Sequence, residues 1–177
     1  LQRWVYKFSK LIEKRVRAMK KAVSTSWRMD ETYIRLNGKW VYLYRAVDKY
    51  GDTIDFLLRA KRDATAAKAF FLKAIKNNER PEKVTVDKSA SNKAALDFCN
   101  KGVEKKNEIE IRQIKYINNI IEQDHRFIKK RTSPMLGFKS FNSAKNTIAG
   151  IESIHMITKG QIHGHDSSKS VFSNFVE

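Results

Sequence analysis

WRMDETYIRLNGKWVYLYRAVD, residues 27–48, is the stretch from which the fold is read. Residues 27 to 36 and 39 to 47 alternate and are rich in Tyr, Trp, Val and Ile, with Asn37-Gly38 between them. Asn-Gly accepts the positive φ angles of a two-residue turn, so the segment predicts a β-hairpin. Its first arm nevertheless carries Asp30 and Glu31, and strand centres disfavour Asp. Asp30 shares a face with Thr32, Ile34 and Leu36, whereas Trp27, Met29 and Tyr33 take the other. A carboxylate beside apolar neighbours needs a compensating partner, and a bound cation is one.

Outward from the hairpin, Gly51 turns the chain into a third strand at about 53 to 59. Residues 63 to 78 carry Ala, Phe and Leu at helical spacing, and Pro81 precedes a short strand, KVTVD, that ends at Asp87. A helix from 89 to 101 closes at Gly102, EIEIRQI (108–114) reads as another strand, and helices follow at about 117 to 131 and 142 to 158. The resulting order, βββαβαβαα, is that of an α/β, ribonuclease-H-like fold with a mixed five-stranded sheet: a three-strand meander feeding parallel βαβ units. Before it, residues 3 to 28 hold nine Lys and Arg against the single acid Glu13 and read as a basic helical connector. After Gly160 the chain is expected to fray, and His163-Gly164-His165 reads as incidental rather than as a metal pair.

Thirty-six Lys and Arg stand against 19 Asp and Glu in 177 residues, a formal charge of +17, which favours a polyanionic partner, nucleic acid first. With 41% hydrophobic residues the chain can still bury a core. Cys99 is the sole cysteine, so an internal disulfide framework and a Cys-cluster zinc site are excluded, in keeping with a reducing compartment; it reads as core filler. No apolar run approaches the roughly 18 residues of a membrane span, and no membrane partner is expected. Trp4, Trp27 and Trp40 read as packing residues.

Three acids stand out by position. Alone, Asp87 reads as a cap for the helix that follows it, and Glu122 as a solvated helix residue. Ile117, Ile120, Ile121, Phe127 and Ile128 make one apolar stripe, and Glu122 lies about 100° round from it with Arg126, Lys129 and Lys130. One reading makes this an ordinary i, i+4 ion-paired face; the other sets Glu122 on a metal and the bases on phosphates. Asn119 and His125, a turn to either side of Glu122, orient substrate or satisfy the helix surface. Lys139, in the loop TSPMLGFKS, is a candidate phosphate contact.

WRMDETYIRLNGKWVYLYRAVD, VTVDKSASN, RQIKYINNIIEQDHR and LGFKSFNSAKNTIAGIES together resemble consecutive motifs of DDE insertion-sequence transposases, most closely insertion-sequence family six, with an integrase-like catalytic core. The 34 residues between Asp87 and Glu122 match that family's spacing. The resemblance implies a triad of Asp30, Asp87 and Glu122 holding two Mg²⁺ ions, with Mn²⁺ as a substitute. It implies DNA cleavage and strand transfer, and DNA contacts from Asn119, His125, Arg126 and Lys129. It further implies transposon-end and target DNA as partners, a homo-oligomeric active complex and a cytoplasmic, nucleoid-associated location. Residues 27–160 would be the catalytic core, with 1–26 the connector after a missing N-terminal helix-turn-helix and 161–177 a disordered tail. The opening LQRWVYKF, without Met, fits a piece of something longer. A truncated, non-catalytic DNA-binding remnant and a nuclease of the same fold are the alternatives.

Overall fold

Five strands form one mixed sheet in the order β3-β2-β1-β4-β5 in a computed structural model that describes residues 2–114, 119–166 and 173. The strands are β1 (Ser26–Leu36), β2 (Lys39–Asp48), β3 (Thr53–Arg59), β4 (Lys83–Val86) and β5 (Glu110–Gln113). Helices α1 (Gln2–Met19), α2 (Ala64–Asn77), α3 (Ala90–Asn100), α4 (Asn119–Thr132) and α5 (Phe141–Thr158) complete the chain. From β1 onward the order is the expected βββαβαβαα. The first helix is shorter than its basic stretch, ending at Met19. Ile117 of the expected apolar stripe lies outside the described residues.

The chain divides into two compact units, of which one comprises Val23–Ile34 and Trp40–Arg126. Here β2 and β3 run antiparallel, pairing Tyr44 with Leu57 and Arg45 with Phe56, while β1, β4 and β5 are mutually parallel. Parallel neighbours need a crossover, and α2 and α3 supply it. Asp63 caps α2 by accepting from the Ala66 backbone N–H at 2.8 Å. Phe70 of α2 stacks on Tyr44 at 6.0 Å between ring centroids, and Trp27, Met29, Phe71 and Leu96 join them in a core closed to solvent. Truncating Trp27 or Phe70 to Ala would cost about 3–5 kcal/mol. The same sheet face loses its cover along β2: Tyr44 is buried, Tyr42 half-buried and Trp40 exposed. Trp40 and, on α1, Trp4 are therefore exposed, each against a neighbouring ring, and of the three expected packing residues only Trp27 lies in the core.

The other unit comprises Leu1–Ala22, Arg35–Lys39 and Phe127–Glu177. Within it α1 packs on α5, and Gly150 permits the approach: a Cβ there would stand 2.7 Å from Ser9 Oγ. Asn37 and Gly38 take the hairpin turn with φ of 47° and 76°. Gln161 and Ile162, expected to fray, are buried instead, because the Lys21 N–H donates to Gln161 O and the His163 N–H to Met19 O, both at 2.8 Å. No helix among the described residues is long and apolar enough to cross a membrane.

Candidate active site

Parallel pairing of β1 with β4 sets Trp27 opposite Val84 and Arg28 opposite Thr85. Two residues beyond that last pair stand Asp30 and Asp87, so the register aligns the two carboxylates; β4 ends at Val86 and Asp87 is the first residue off it. The carboxyl ends of parallel strands are where open α/β sheets leave a crevice for ligands. Both side chains reach solvent, at 26% and 27% exposure, unlike the apolar residues that precede them.

The Asp87 carboxylate is held by defined donors. Asp87 Oδ1 accepts from the Ser89 N–H at 3.0 Å and from Asn92 Nδ2 at 2.9 Å, and Oδ2 accepts from Arg62 Nη2 at 2.9 Å. Asp87 is thus not the helix cap expected: Ser89 stands at the N-cap of α3, and Asp87 ties down the Ser89 N–H just before the helix. Arg62 Nη2 also reaches Glu31 Oε2 at 3.3 Å. Glu31 was not singled out by sequence, yet its side chain is 3% exposed. Burial pushes its carboxyl above the ordinary value; Arg62 opposes the rise, and the charges on Asp30 and Asp87 add to it. The signal was the DE pair within a strand: consecutive residues point to opposite faces, so Glu31 enters the side that holds Trp27 and Met29.

On the Asp30 side, His125 Nε2 stands 3.4 Å from Asp30 Oδ2, and His125 Nδ1 stands 3.3 Å from Arg45 Nη1. Arg45 is fully buried in β2 and also donates to Asp124 Oδ2. A guanidinium only donates, so Nδ1 is the acceptor and a neutral ring carries its hydrogen on Nε2, on the Asp30 side. His125 is 5% exposed and so is not the DNA-facing residue expected; a buried Arg on β2 draws Asp124 and His125 inward from α4. Arg28 stands on the Asp30 face two residues earlier, a cation the sequence reading passed over, with Nε and Nη1 buried and without hydrogen bonds among the described residues.

Glu122 lies exposed in the first turn of α4, whose Ile120 and Ile121 pack on Val47 of β2. Among the described residues no three His, Cys, Asp or Glu side chains converge as a metal site, so the strands assemble the Asp30 and Asp87 pair without Glu122. The pair nonetheless suits a hard divalent cation: its donors are carboxylate oxygens, and beside Asp87 the buried Asn92 Oδ1 accepts no hydrogen bond among the described residues. Arg126, Lys129, Lys130 and Lys139 are all exposed. Asn119 opens α4, and its side chain lies outside the description.

A family model described as a DDE domain matches residues 24–161. The chain is 41% identical over 157 residues to the transposase for insertion sequence-like element IS431mec of Staphylococcus aureus strain Mu50, across 89% of this chain and 68% of that protein. Among solved structures it is similar to the HTLV-2 integrase catalytic core domain in complex with magnesium, with a TM-score of 0.60 at 16% identity over 80% of this chain and 97% of that one. The BIV integrase catalytic core domain gives a TM-score of 0.54 at 15% identity over 86% and 94%. At such identities the likeness carries the fold alone, and that fold is ribonuclease-H-like.

Proposed function

The chain belongs to the DDE transposases of insertion sequences, and we propose that it catalyses divalent-metal-dependent cleavage and joining of DNA strands in transposition, using Asp30, Asp87 and Glu122. The observation that carries the assignment of residues is the register of β1 on β4, which sets Asp30 beside Asp87 where the parallel strands end. Asp30 and Asp87 would hold Mg²⁺, with Mn²⁺ as a substitute, and Glu122 would complete the ligand set from α4. When bound, such ions make water or a 3′-hydroxyl nucleophilic and stabilise the leaving oxygen.

The protein's own side chains have separate tasks in this reading. Arg62 and Asn92 orient Asp87, and His125, held by Arg45, stands beside Asp30. Arg126, Lys129, Lys130, Lys139 and Asn119 would contact phosphates, which positions DNA without reading its sequence. The partners are transposon-end and target DNA, the active complex is a homo-oligomer, and the setting is the nucleoid-associated cytoplasm. Residues 1–26 would act as a basic connector to an end-recognising helix-turn-helix.

Incubation with supercoiled plasmid and labelled donor duplex in Mg²⁺ tests the proposal. Nicking together with joined donor–plasmid product is expected. Nicking without joined product would leave a nuclease of the same fold, and neither activity would leave a DNA-binding remnant.

A further inference from the structure

Beyond the acid pair, the sheet face that carries Glu31 continues towards the hairpin end as a group of aromatic side chains. Tyr33 packs on Tyr42 at 5.5 Å and on Trp40 at 6.1 Å between ring centroids. The cover given by α2 stops at Tyr44, and beyond it Tyr33 is 49% and Trp40 56% exposed. Arg59 pairs with Tyr42 across β2 and β3 and so lies on the same face. Arg62, the residue that reaches Asp87, lies within electrostatic reach of Tyr33.

Three facts choose the occupant. Exposed aromatic rings offer stacking area, and every nucleobase has a flat face to lay on them. The charges beside the rings are arginines, in a chain of net +17, which complements phosphate and repels a basic second copy. The group also connects to the acid pair through Arg62, which reaches Glu31 on the aromatic face and Asp87 of the pair, although Asp30 itself points to the opposite face. A strand cleaved at the pair would run past the rings where its bases are unpaired. A paired base inside a duplex presents no free face to stack on.

We infer that Tyr33, Trp40 and Tyr42 form a stacking platform for unpaired nucleotides flanking the scissile phosphate, with Arg59 and Arg62 on the adjoining backbone. The inference rests on the reading of the chain as a DNA-cleaving enzyme and adds a preference for single-stranded flanks.

The test measures affinity by fluorescence anisotropy, at one fixed salt concentration, for an oligothymidylate strand and for a blunt duplex of equal length. Trp40→Ala and Tyr33→Ala are each expected to weaken single-strand binding by about tenfold or more while changing duplex binding little. Trp40→Phe, which keeps a ring, should restore most of the loss. Equal losses on both DNAs, or none on either, would overturn the inference and leave the DNA-cleaving reading intact. If the unmodified chain binds neither DNA, that reading falls and the platform with it. If Trp40→Ala changes only the sedimentation behaviour, the patch is a contact between copies and the inference is wrong.

Discussion

Asp30 and Asp87 stand side by side because Arg28 pairs with Thr85: once β1 and β4 run parallel in that register, two further residues bring both carboxylates to the same level. A shift of one residue in either strand would turn one carboxylate to the opposite face. The alignment is therefore tied to the packing of Trp27 and Met29 beneath it, whose burial fixes which face of β1 points inward.

Arg62 should matter most through Glu31. Arg62→Ala removes a guanidinium that reaches Glu31 and Asp87 and leaves the Glu31 carboxylate in a 3% exposed position. Because Arg62 is itself 37% exposed, the expected cost is about 1–3 kcal/mol, below that of a fully buried pair. Glu31→Gln in the Arg62→Ala background should recover much of it, measured by urea unfolding as a double-mutant cycle. Independent, additive losses would show that the two do not form a pair.

The buried Arg45 makes a harsher demand. Asp124→Ala withdraws the carboxylate set against a guanidinium with no solvent exposure, which should destabilise the fold by about 3–5 kcal/mol. Replacing Arg45 by Met in that variant should restore part of the stability, read from the denaturation midpoint. A loss below about 1 kcal/mol in the single variant would contradict the burial of this pair.

Much of this was legible in the sequence, and what was not has a physical pattern. Asn37-Gly38 marked its turn and Pro81, Gly102 and the alternating strands marked theirs, because such signals are local. The pairing of β1 with β4 is not local, so the sequence pointed to Asp30 and Asp87 separately but not to their common level. Asp124 and His125 look like solvated helix residues until Arg45, 79 and 80 positions away, is known to be buried beneath them. Glu31 was hidden by its neighbour, and the exposure of Trp40 depends on where α2 stops covering β2. Trp27, inside the core, was read correctly for the reason that generally puts Trp there.

Cys99 should behave as a core thiol. Burial raises its pKa above the ordinary 9.0, outweighing the opposing charges of Arg80 and Lys68. At pH 8 a disulfide reagent should therefore modify the folded chain more slowly than the urea-unfolded chain, since the thiolate is the reactive form. The sign for stability follows: a raised folded pKa means that the contribution present below pH 9 is lost as pH rises through the folded value. Equal rates in the two states would contradict the burial of this side chain.

DNA affinity should fall with salt, by a slope of about −0.9 in log K against log salt for each phosphate neutralised. Arg126→Ala and Lys129→Ala, both at exposed positions of α4, should each make the slope shallower by about one unit. Titrations at several salt concentrations decide it, and unchanged slopes would mark these residues as ordinary solvated surface.

Mn²⁺ binding followed by electron paramagnetic resonance tests, without requiring turnover, whether Asp30 and Asp87 bind a divalent cation together. The unmodified chain should deplete the free Mn²⁺ signal, whereas Asp30→Asn and Asp87→Asn, folded by circular dichroism, should each leave it close to that of the buffer. Wild-type Mn²⁺ affinity in either variant would show that the aligned carboxylates are not a metal site.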